Sequence, residues 1–112
     1  MNEGMRKHCF LLPEYVEHIS GDDAAIEALC QQFRMIFDRL GRMHAVHGDF
    51  KATNWIVGRD GVLHLFDLDA FSCGLSLEAF KRWHKKDVER LLANWDADAP
   101  IRKALSKMQI AS

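Results

Sequence analysis

A short stretch of this 112-residue chain combines acidic and amide side chains with apolar, strand-forming residues. From His47 to Asp69 it reads HGDFKATNWIVGRDGVLHLFDLD, and Asp49, Asn54 and Asp67 stand at the ends of its apolar runs. Removing an unpaired carboxylate or amide from water is unfavourable, so a purely structural hairpin has little reason to hold them there. Their types and positions therefore indicate chemistry.

The segments NWIV and VLHLF flank GRDG, a sequence typical of a β-hairpin turn. With the turn at Arg59–Asp60, residue 54 is expected roughly opposite residue 65, and Asp67 follows about 7 Å farther along. Asn54 and Asp67 should then emerge at the same open end of the hairpin. An amide oxygen beside a carboxylate is suited to Mg²⁺, which prefers oxygen ligands and keeps several waters.

Two more candidate residues precede the hairpin, in a loop that contains a glycine. Asp49 is placed to accept a proton from a hydroxyl near the metal. Lys51 is a cation available to stabilise charge on a transferring phosphoryl group. The alternative is that these residues cap turns and satisfy backbone groups at the strand ends. Asp69 is open in the same way, between a local cap and a second metal contact.

The residues before this stretch predict a strand and a long helix. CFLL, residues 9–12, is an apolar run ended by Pro13, which predicts a strand that passes into an extended connection. Residues 20–46 carry one apolar stripe at helical spacing. Ser20 followed by Asp23 resembles a capping box at the start of that helix.

The residues after the stretch predict two more helices. One runs from about Ser76 to Trp95, with a stripe formed by Leu77, Phe80, His84, Val88, Leu91 and Trp95. A short helix is predicted at 101–109. The order of strand, helix, hairpin, helix, helix predicts one mainly helical α+β domain.

Basic residues gather on the side of the second helix opposite its apolar stripe. One interpretation is an ordinary solvated face. The other is a docking surface for an anionic glycolipid or membrane. The residues opposite the stripe are Arg82, Lys86 and Arg90, with Lys81 and Lys85 on its flank.

Composition excludes several classes of protein. A net charge of −1 argues against nucleic acid as a partner, because phosphate binding needs an excess of Lys and Arg. No apolar run approaches the ~20 residues of a membrane span, and the first fifteen residues do not form a secretory signal. Cys9, Cys30 and Cys73 are odd in number and widely spaced, which favours a reducing, cytoplasmic compartment.

The sequence HGDFKATN resembles the His-x-Asp-x-x-x-x-Asn catalytic loop of protein-kinase-like enzymes. DLD stands where that superfamily has its metal-binding Asp-Phe-Gly. The fuller pattern, HGDFKATNWIV…LFDLDAF followed by a basic helix ending LLANW, resembles the bacterial lipopolysaccharide core kinases. The resemblance runs from about Cys9 to Trp95 and corresponds to the carboxy-terminal lobe of such a kinase.

The resemblance implies a role for each matching position. Asp49 would be the catalytic base and Lys51 the cation that faces the phosphate. Asn54 and Asp67 would bind Mg²⁺. His47 would be structural, bracing the catalytic loop against the Asp67 segment.

The resemblance also divides the chain and implies an adenine site. LLPEYV would be the hinge, with adenine bonded by the backbone of Glu14 and Val16. The four parts would be a hinge-like segment at 1–19, the long helix at 20–46, the catalytic loop and metal-binding hairpin at 47–69, and the carboxy-terminal helices at 70–112.

The activity implied is Mg²⁺-dependent transfer of the γ-phosphoryl group of ATP to a sugar hydroxyl of the lipopolysaccharide core. It would take place in the cytoplasm, in peripheral contact with the inner face of the inner membrane. A small-molecule kinase of the aminoglycoside or choline type uses a similar residue set. A non-catalytic remnant that binds a partner is a further interpretation.

One part of a kinase-like fold has no counterpart in the sequence. Lys7 is the only lysine before the predicted catalytic loop, and no glycine cluster is present to cover the phosphates. The expectation is a truncated or split enzyme with little activity alone, completed by an amino-terminal lobe. Apolar hinge residues such as Phe10 and Leu12 should then be exposed or covered by self-association.

Overall fold

Four helices and three strands are formed by residues 9–65 and 71–108, the part of the chain that the computed structural model describes. The α+β class and its mainly helical character are confirmed. In chain order the elements are β1 (Cys9–Leu11), α1 (Leu12–His18), α2 (Asp23–Arg42), a 3₁₀ turn (Ala52–Asn54), β2 (Trp55–Gly58), β3 (Leu63–Leu65), α3 (Leu77–Leu92) and α4 (Pro100–Lys107).

Helix α1 replaces the extended connection predicted after the first strand. Pro13 lies in its first turn, where the missing N–H breaks no hydrogen bond and the fixed φ suits a helix. The Glu14 carboxylate accepts a hydrogen bond from the Leu11 backbone N–H at 3.1 Å, which satisfies a donor at the helix start. The prediction of an extended segment was therefore wrong because Pro13 begins a helix here.

The prediction that Phe10 and Leu12 are exposed is wrong for Leu12, and Phe10 is only partly exposed. Leu12 is fully buried, against the prediction, because α1 turns it into the core. Phe10 is half-buried, with its ring stacked on His18 at 4.9 Å and edge-on to Tyr15 at 5.6 Å. Leu11, at 39% exposure, is the residue of this strand that faces solvent.

Helix α2 is the central element of the core. Asp22, and not Ser20, is its N-cap, and its carboxylate accepts a hydrogen bond from the Ala25 N–H at 3.1 Å. The helix ends at Arg42, earlier than predicted, and His44 beyond it has a positive φ of 46°. The predicted apolar stripe is confirmed by the buried residues Ile26, Leu29, Cys30, Phe33, Phe37 and Leu40.

The strands form one antiparallel sheet in the order β1-β2-β3. The hairpin is confirmed, but its register differs by one residue: Leu65 pairs with Trp55, not with residue 54. The turn is one residue longer than predicted, since Gly58 N–H bonds the Val62 carbonyl at 2.9 Å. Gly61 adopts a φ of +82° within it, which suits a three-residue hairpin loop.

The side chain of Gln32 fixes the hairpin turn to α2. Its Oε1 accepts a hydrogen bond from the Leu63 N–H at 2.8 Å, and its Nε2 donates to the Gly61 carbonyl. An aromatic contact between Phe33 and Trp55, 4.9 Å between ring centroids, joins the same two elements in the core. The hairpin is thus held in place relative to α2.

Helix α3 agrees with its predicted start. Ser76 is the N-cap and accepts a hydrogen bond from the Ala79 N–H at 3.2 Å. His84 and Leu91 of the predicted stripe are buried, whereas Leu77 is 53% exposed, so the stripe prediction was wrong there. The short carboxy-terminal helix is confirmed as α4. Within the described ranges, no helix is long and apolar enough to cross a membrane.

Candidate functional site

The predicted catalytic residues lie in an irregular segment between α2 and β2, which we call the candidate loop (residues 47–54). Just before it, Val46 forms an isolated antiparallel bridge with Ser72, with hydrogen bonds of 2.9 and 3.0 Å. Gly48 has a φ of +91°, a conformation that residues with a side chain rarely adopt. Phe50 is fully buried and packs on Phe37, with 5.2 Å between ring centroids. The loop is therefore anchored by its middle.

A buried carboxylate on α3 holds the start of the candidate loop. Asp87, 3% exposed, accepts hydrogen bonds from the backbone N–H groups of His47 at 2.9 Å and Gly48 at 3.0 Å. Burial raises the pKa of Asp87 above its ordinary value, while these two hydrogen bonds and the nearby imidazoles of His47 and His84 oppose that shift. One side chain thus fixes two successive peptide groups of an irregular backbone.

An amide just beyond α3 holds the other half of the loop. Asn94 Oδ1 accepts from the Ala52 N–H at 3.1 Å, and Asn94 Nδ2 donates to the carbonyl of Phe50 at 2.9 Å. The same Nδ2 donates to Leu91 at 3.0 Å, which ties the arrangement to the last turn of α3. Asp87 and Asn94 together make four hydrogen bonds to the candidate loop, and we call them the loop clamp.

The structure brings three predicted site residues together. Asn54, 8% exposed, donates from Nδ2 to the Asp49 carbonyl at 2.8 Å, so the loop closes on itself. Lys51 Nζ lies 3.6 Å from Asp49 Oδ2, and both side chains are partly open to solvent. Because the amide nitrogen of Asn54 is engaged, its Oδ1 is the atom left to act as a ligand. Among the described residues, none donates a hydrogen bond to that oxygen.

His47 has the surroundings of a structural residue. It is fully buried, stacks on Phe50 with 5.0 Å between ring centroids, and its Nδ1 accepts from the Asp49 N–H at 3.1 Å. Its Nε2 has no hydrogen-bond partner among residues 9–65 and 71–108. The predicted contact between His47 and the Asp67 segment lies outside the described residues.

Of the two predicted Mg²⁺ ligands, only Asn54 lies within the described residues. Asp67, its predicted second ligand, and Asp69 lie outside the described residues. Within the part of the chain that is described, no three His, Cys, Asp or Glu side chains gather closely enough to hold a metal ion. The pairing of Asn54 with Asp67 stays a prediction.

The predicted adenine contacts fall in a helix. Glu14 and Val16 both belong to α1, where the Val16 N–H is directed at the helix's own carbonyl four residues earlier. The extended backbone on which that prediction depended is absent from α1. The helix does pack against the 3₁₀ turn that ends the candidate loop.

Sequence reasoning missed the loop clamp. Asp87 stands three residues after His84 and four before Leu91, so it interrupts the buried stripe of α3 with a carboxylate. A charged residue on a buried face requires partners, and that signal could have been found. Asn94 lies beyond the helix in an ordinary polar position and gave no such signal.

Of two cavities that described residues line, one adjoins the candidate loop. It has a volume of about 280 Å³ and is lined by Val46, Gly48, Ser72, Leu75 and Trp83. The larger cavity, about 500 Å³, lies between α2 and α4, and its described lining includes no residue of the candidate loop. Its buried thiol, Cys30, has a pKa raised to about 11, first by burial and then by Glu27, so it stays protonated at neutral pH. The smaller cavity is the one relevant to the site.

Comparisons of the chain with protein-family models, with curated proteins and with solved structures found no match. The possible chemistry of the site therefore follows from its own residues and geometry, together with the motif resemblance.

Proposed function

We propose that this chain forms the carboxy-terminal lobe of a kinase-like phosphotransferase that resembles the lipopolysaccharide core kinases. The reaction is transfer of the γ-phosphoryl group of ATP to a sugar hydroxyl, with Mg²⁺ as the cofactor. The fold, the spacing of Asp49, Lys51 and Asn54, and their arrangement in one anchored loop support the proposal.

The observation that carries the proposal is the way the candidate loop is held. Four hydrogen bonds with Asp87 and Asn94 fix its backbone, and the hydrogen bond that Asn54 donates to the Asp49 carbonyl holds these two residues together. Phosphoryl transfer depends mainly on positioning and charge stabilisation. A rigid loop that presents a carboxylate and an amide together suits that requirement.

Each residue has a defined task in this proposal. Asp49, partly open to solvent, accepts the proton of the acceptor hydroxyl. Lys51 is more than half exposed and only loosely paired with Asp49, so its ammonium group can turn towards phosphoryl oxygens. Asn54 Oδ1 and the predicted ligand Asp67 would hold Mg²⁺, which neutralises charge on the phosphates when bound.

The proposed activity also involves a second lobe, a membrane contact and an acceptor. The 112 residues contain no glycine-rich loop. In the proposed enzyme, a second lobe that is not part of these residues covers the ATP phosphates. The basic side chains of α3 are exposed, which supports peripheral contact with an anionic membrane at its cytoplasmic face. The acceptor would be a sugar or glycolipid of the lipopolysaccharide core.

The test is ADP release, measured with Mg²⁺–ATP and a lipopolysaccharide core acceptor. The chain is assayed alone and fused to the amino-terminal lobe of a lipopolysaccharide core kinase. We expect little turnover from the chain alone and acceptor-dependent turnover from the fusion. Asp49→Asn should lower it by a factor of about 10²–10⁴, the contribution of a general base.

A matched control separates chemistry from charge. Asp38→Asn alters an exposed carboxylate of α2 and should leave turnover unchanged. If the fusion releases ADP equally well with Asn at position 49, the proposed role of Asp49 is wrong. If the fusion binds acceptor without any ADP release, the non-catalytic interpretation is favoured.

A further inference from the structure

The cavity beside the candidate loop has a feature that the proposed phosphoryl transfer does not use. One of its lining residues is Trp83, a large aromatic side chain on α3 that is 43% exposed. Burial of an aromatic ring is favourable. The exposed indole therefore offers a large apolar face to a ligand, as aromatic side chains that line small-molecule sites do.

Two cations lie over this indole ring. Lys86 Nζ is 4.4 Å from the ring centroid and the guanidinium carbon of Arg82 is 5.8 Å from it, both within cation–π range. Neither forms an ion pair with an acidic residue within the described part of the chain. Their positive charge therefore lies beside Trp83, a lining residue of the cavity, without an acidic partner among the described residues.

Another lining residue of the cavity adjoins the candidate base in the chain. Gly48 lines the cavity and immediately precedes Asp49. Because Gly48 has no side chain, a ligand can approach the backbone closely at that point. Ser72 belongs to the same lining, and its backbone is occupied by the bridge to Val46.

From these observations we infer that the cavity is the acceptor site, and that it binds one anionic sugar residue between Trp83 and Gly48. The inference rests on the proposed function, because it makes a hydroxyl of that sugar the group that Asp49 deprotonates. The C–H face of a sugar ring packs on the indole, and a carboxylate or phosphate on the sugar pairs with Lys86 and Arg82. A volume of about 280 Å³ is near the lower end for small-molecule sites and suits a single ring.

The experiment measures binding directly, with no need for turnover. Backbone amide shifts of Gly48 and Ser72 in the 112-residue chain are followed by NMR during titration with glucuronate, glucose 6-phosphate, glucose and inorganic phosphate. We expect saturable shifts with the two anionic sugars. Glucose should bind about fivefold more weakly, since only the exposed ion pairing is lost, and inorganic phosphate should leave both amides unmoved.

Single substitutions test which residues form the binding site. Trp83→Ala should weaken binding of the anionic sugars about tenfold or more, and Lys86→Gln about fivefold. Lys81→Gln removes the same charge from an exposed position of the same helix and serves as the matched control, with no change expected. Trp83 is partly exposed, so its replacement should leave the spectrum of the rest of the chain intact.

Several results would overturn the inference. These are the absence of saturable shifts, binding that is unchanged in Trp83→Ala, or phosphate binding as tight as that of glucose 6-phosphate, which would indicate a simple cation patch. Vesicles that carry a glucuronyl lipid are compared with vesicles that carry phosphatidylserine. The basic face of α3 should bind both, and the cavity should strengthen binding of the glucuronyl lipid, so equal binding to both would contradict a sugar site.

The inference and the proposed function can fail separately. If Asp49→Asn abolishes ADP release by the fusion protein but Trp83→Ala leaves the KM for acceptor unchanged, the acceptor site is wrong and the kinase proposal stands. If sugars bind as described but no ADP is released, the cavity is a carbohydrate site and the kinase proposal is wrong.

Discussion

The candidate loop and helix α1 were both predicted to contact the nucleotide, yet the chain holds their backbones by opposite means. Helix α1, Leu12–His18, is regular structure whose hydrogen bonds are local, such as that from Leu11 to Glu14 at its start, three positions away. Residues 47–54 are irregular and depend on Asp87 and Asn94, some forty positions later. A backbone that cannot satisfy its own polar groups requires distant side chains to do so.

The difference shows which residues determine the backbone geometry of each segment. Helix α1 satisfies its backbone groups within its own segment, so its backbone shape does not depend on hydrogen bonds from distant side chains. The candidate loop keeps its shape only while the clamp is intact, which is what a site that must position reacting groups requires. The comparison therefore predicts a graded series of effects when each holding side chain is removed.

The largest effect is expected from Asp87→Ala. It leaves the buried N–H of His47 and the part-buried N–H of Gly48 without an acceptor, and each unsatisfied donor is unfavourable. We expect the free energy of unfolding to fall by about 2–5 kcal/mol, measured by urea denaturation. Asp38→Ala, an exposed carboxylate of α2, is the control and should change stability by no more than about 0.5 kcal/mol. Equal losses in the two variants would remove the basis of the comparison.

A smaller loss is expected from Asn94→Ala, about 1–3 kcal/mol in the same measurement. Asn94 is half-buried, so water can replace part of what is removed. Asn94→Asp sharpens the test because it keeps the acceptor for the Ala52 N–H but loses the donor to Phe50 and Leu91. It should fall between the wild type and the alanine variant. A loss in Asn94→Asp as large as in Asn94→Ala would show that the donor side alone matters.

In the local segment the corresponding change should be minor. Glu14→Ala removes the acceptor of the Leu11 N–H at an exposed helix start, and we expect a loss of about 0.5–1 kcal/mol. Glu17→Ala, an exposed residue of the same helix, is the control and should be close to neutral. If Glu14→Ala proved as damaging as Asp87→Ala, α1 would be as dependent on one side chain as the candidate loop is.

The same contrast explains what sequence alone could predict. Periodicity found α2 and α3, and Ser76 identified the start of α3, because those signals are local. Pro13 was misread since proline ends a strand and also suits the first turn of a helix. The hairpin register was off by one because Gly61 makes the loop one residue longer, which the letters GRDG do not distinguish from a tighter turn.

Site prediction was limited in a related way. Motif spacing placed Asp49, Lys51 and Asn54 in one loop, and the structure brings them together. The side chains that hold that loop come from α3 and the residues after it. Their pairing partners are backbone groups, which leave no trace in residue identity. Asp87 alone carried a readable signal, as a carboxylate on a buried stripe.

The smallest effect concerns pH, because the influences on Asp87 partly cancel. Burial raises its pKa above the ordinary value, and the hydrogen bonds from His47 and Gly48 reduce that shift. Since the folded-state pKa is higher than the unfolded one, the folded state binds more protons between the two values. The contribution to stability is fully present below the unfolded pKa of about 3.9 and is lost as pH rises through the folded-state pKa.

The unfolding free energy of the wild type minus that of Asp87→Asn should therefore decrease as pH rises above about 4. Urea denaturation of both proteins over that range measures it, and other carboxylates cancel in the subtraction. A difference that increases with pH would mean that the hydrogen bonds outweigh burial, and that the loop clamp favours the charged form of Asp87.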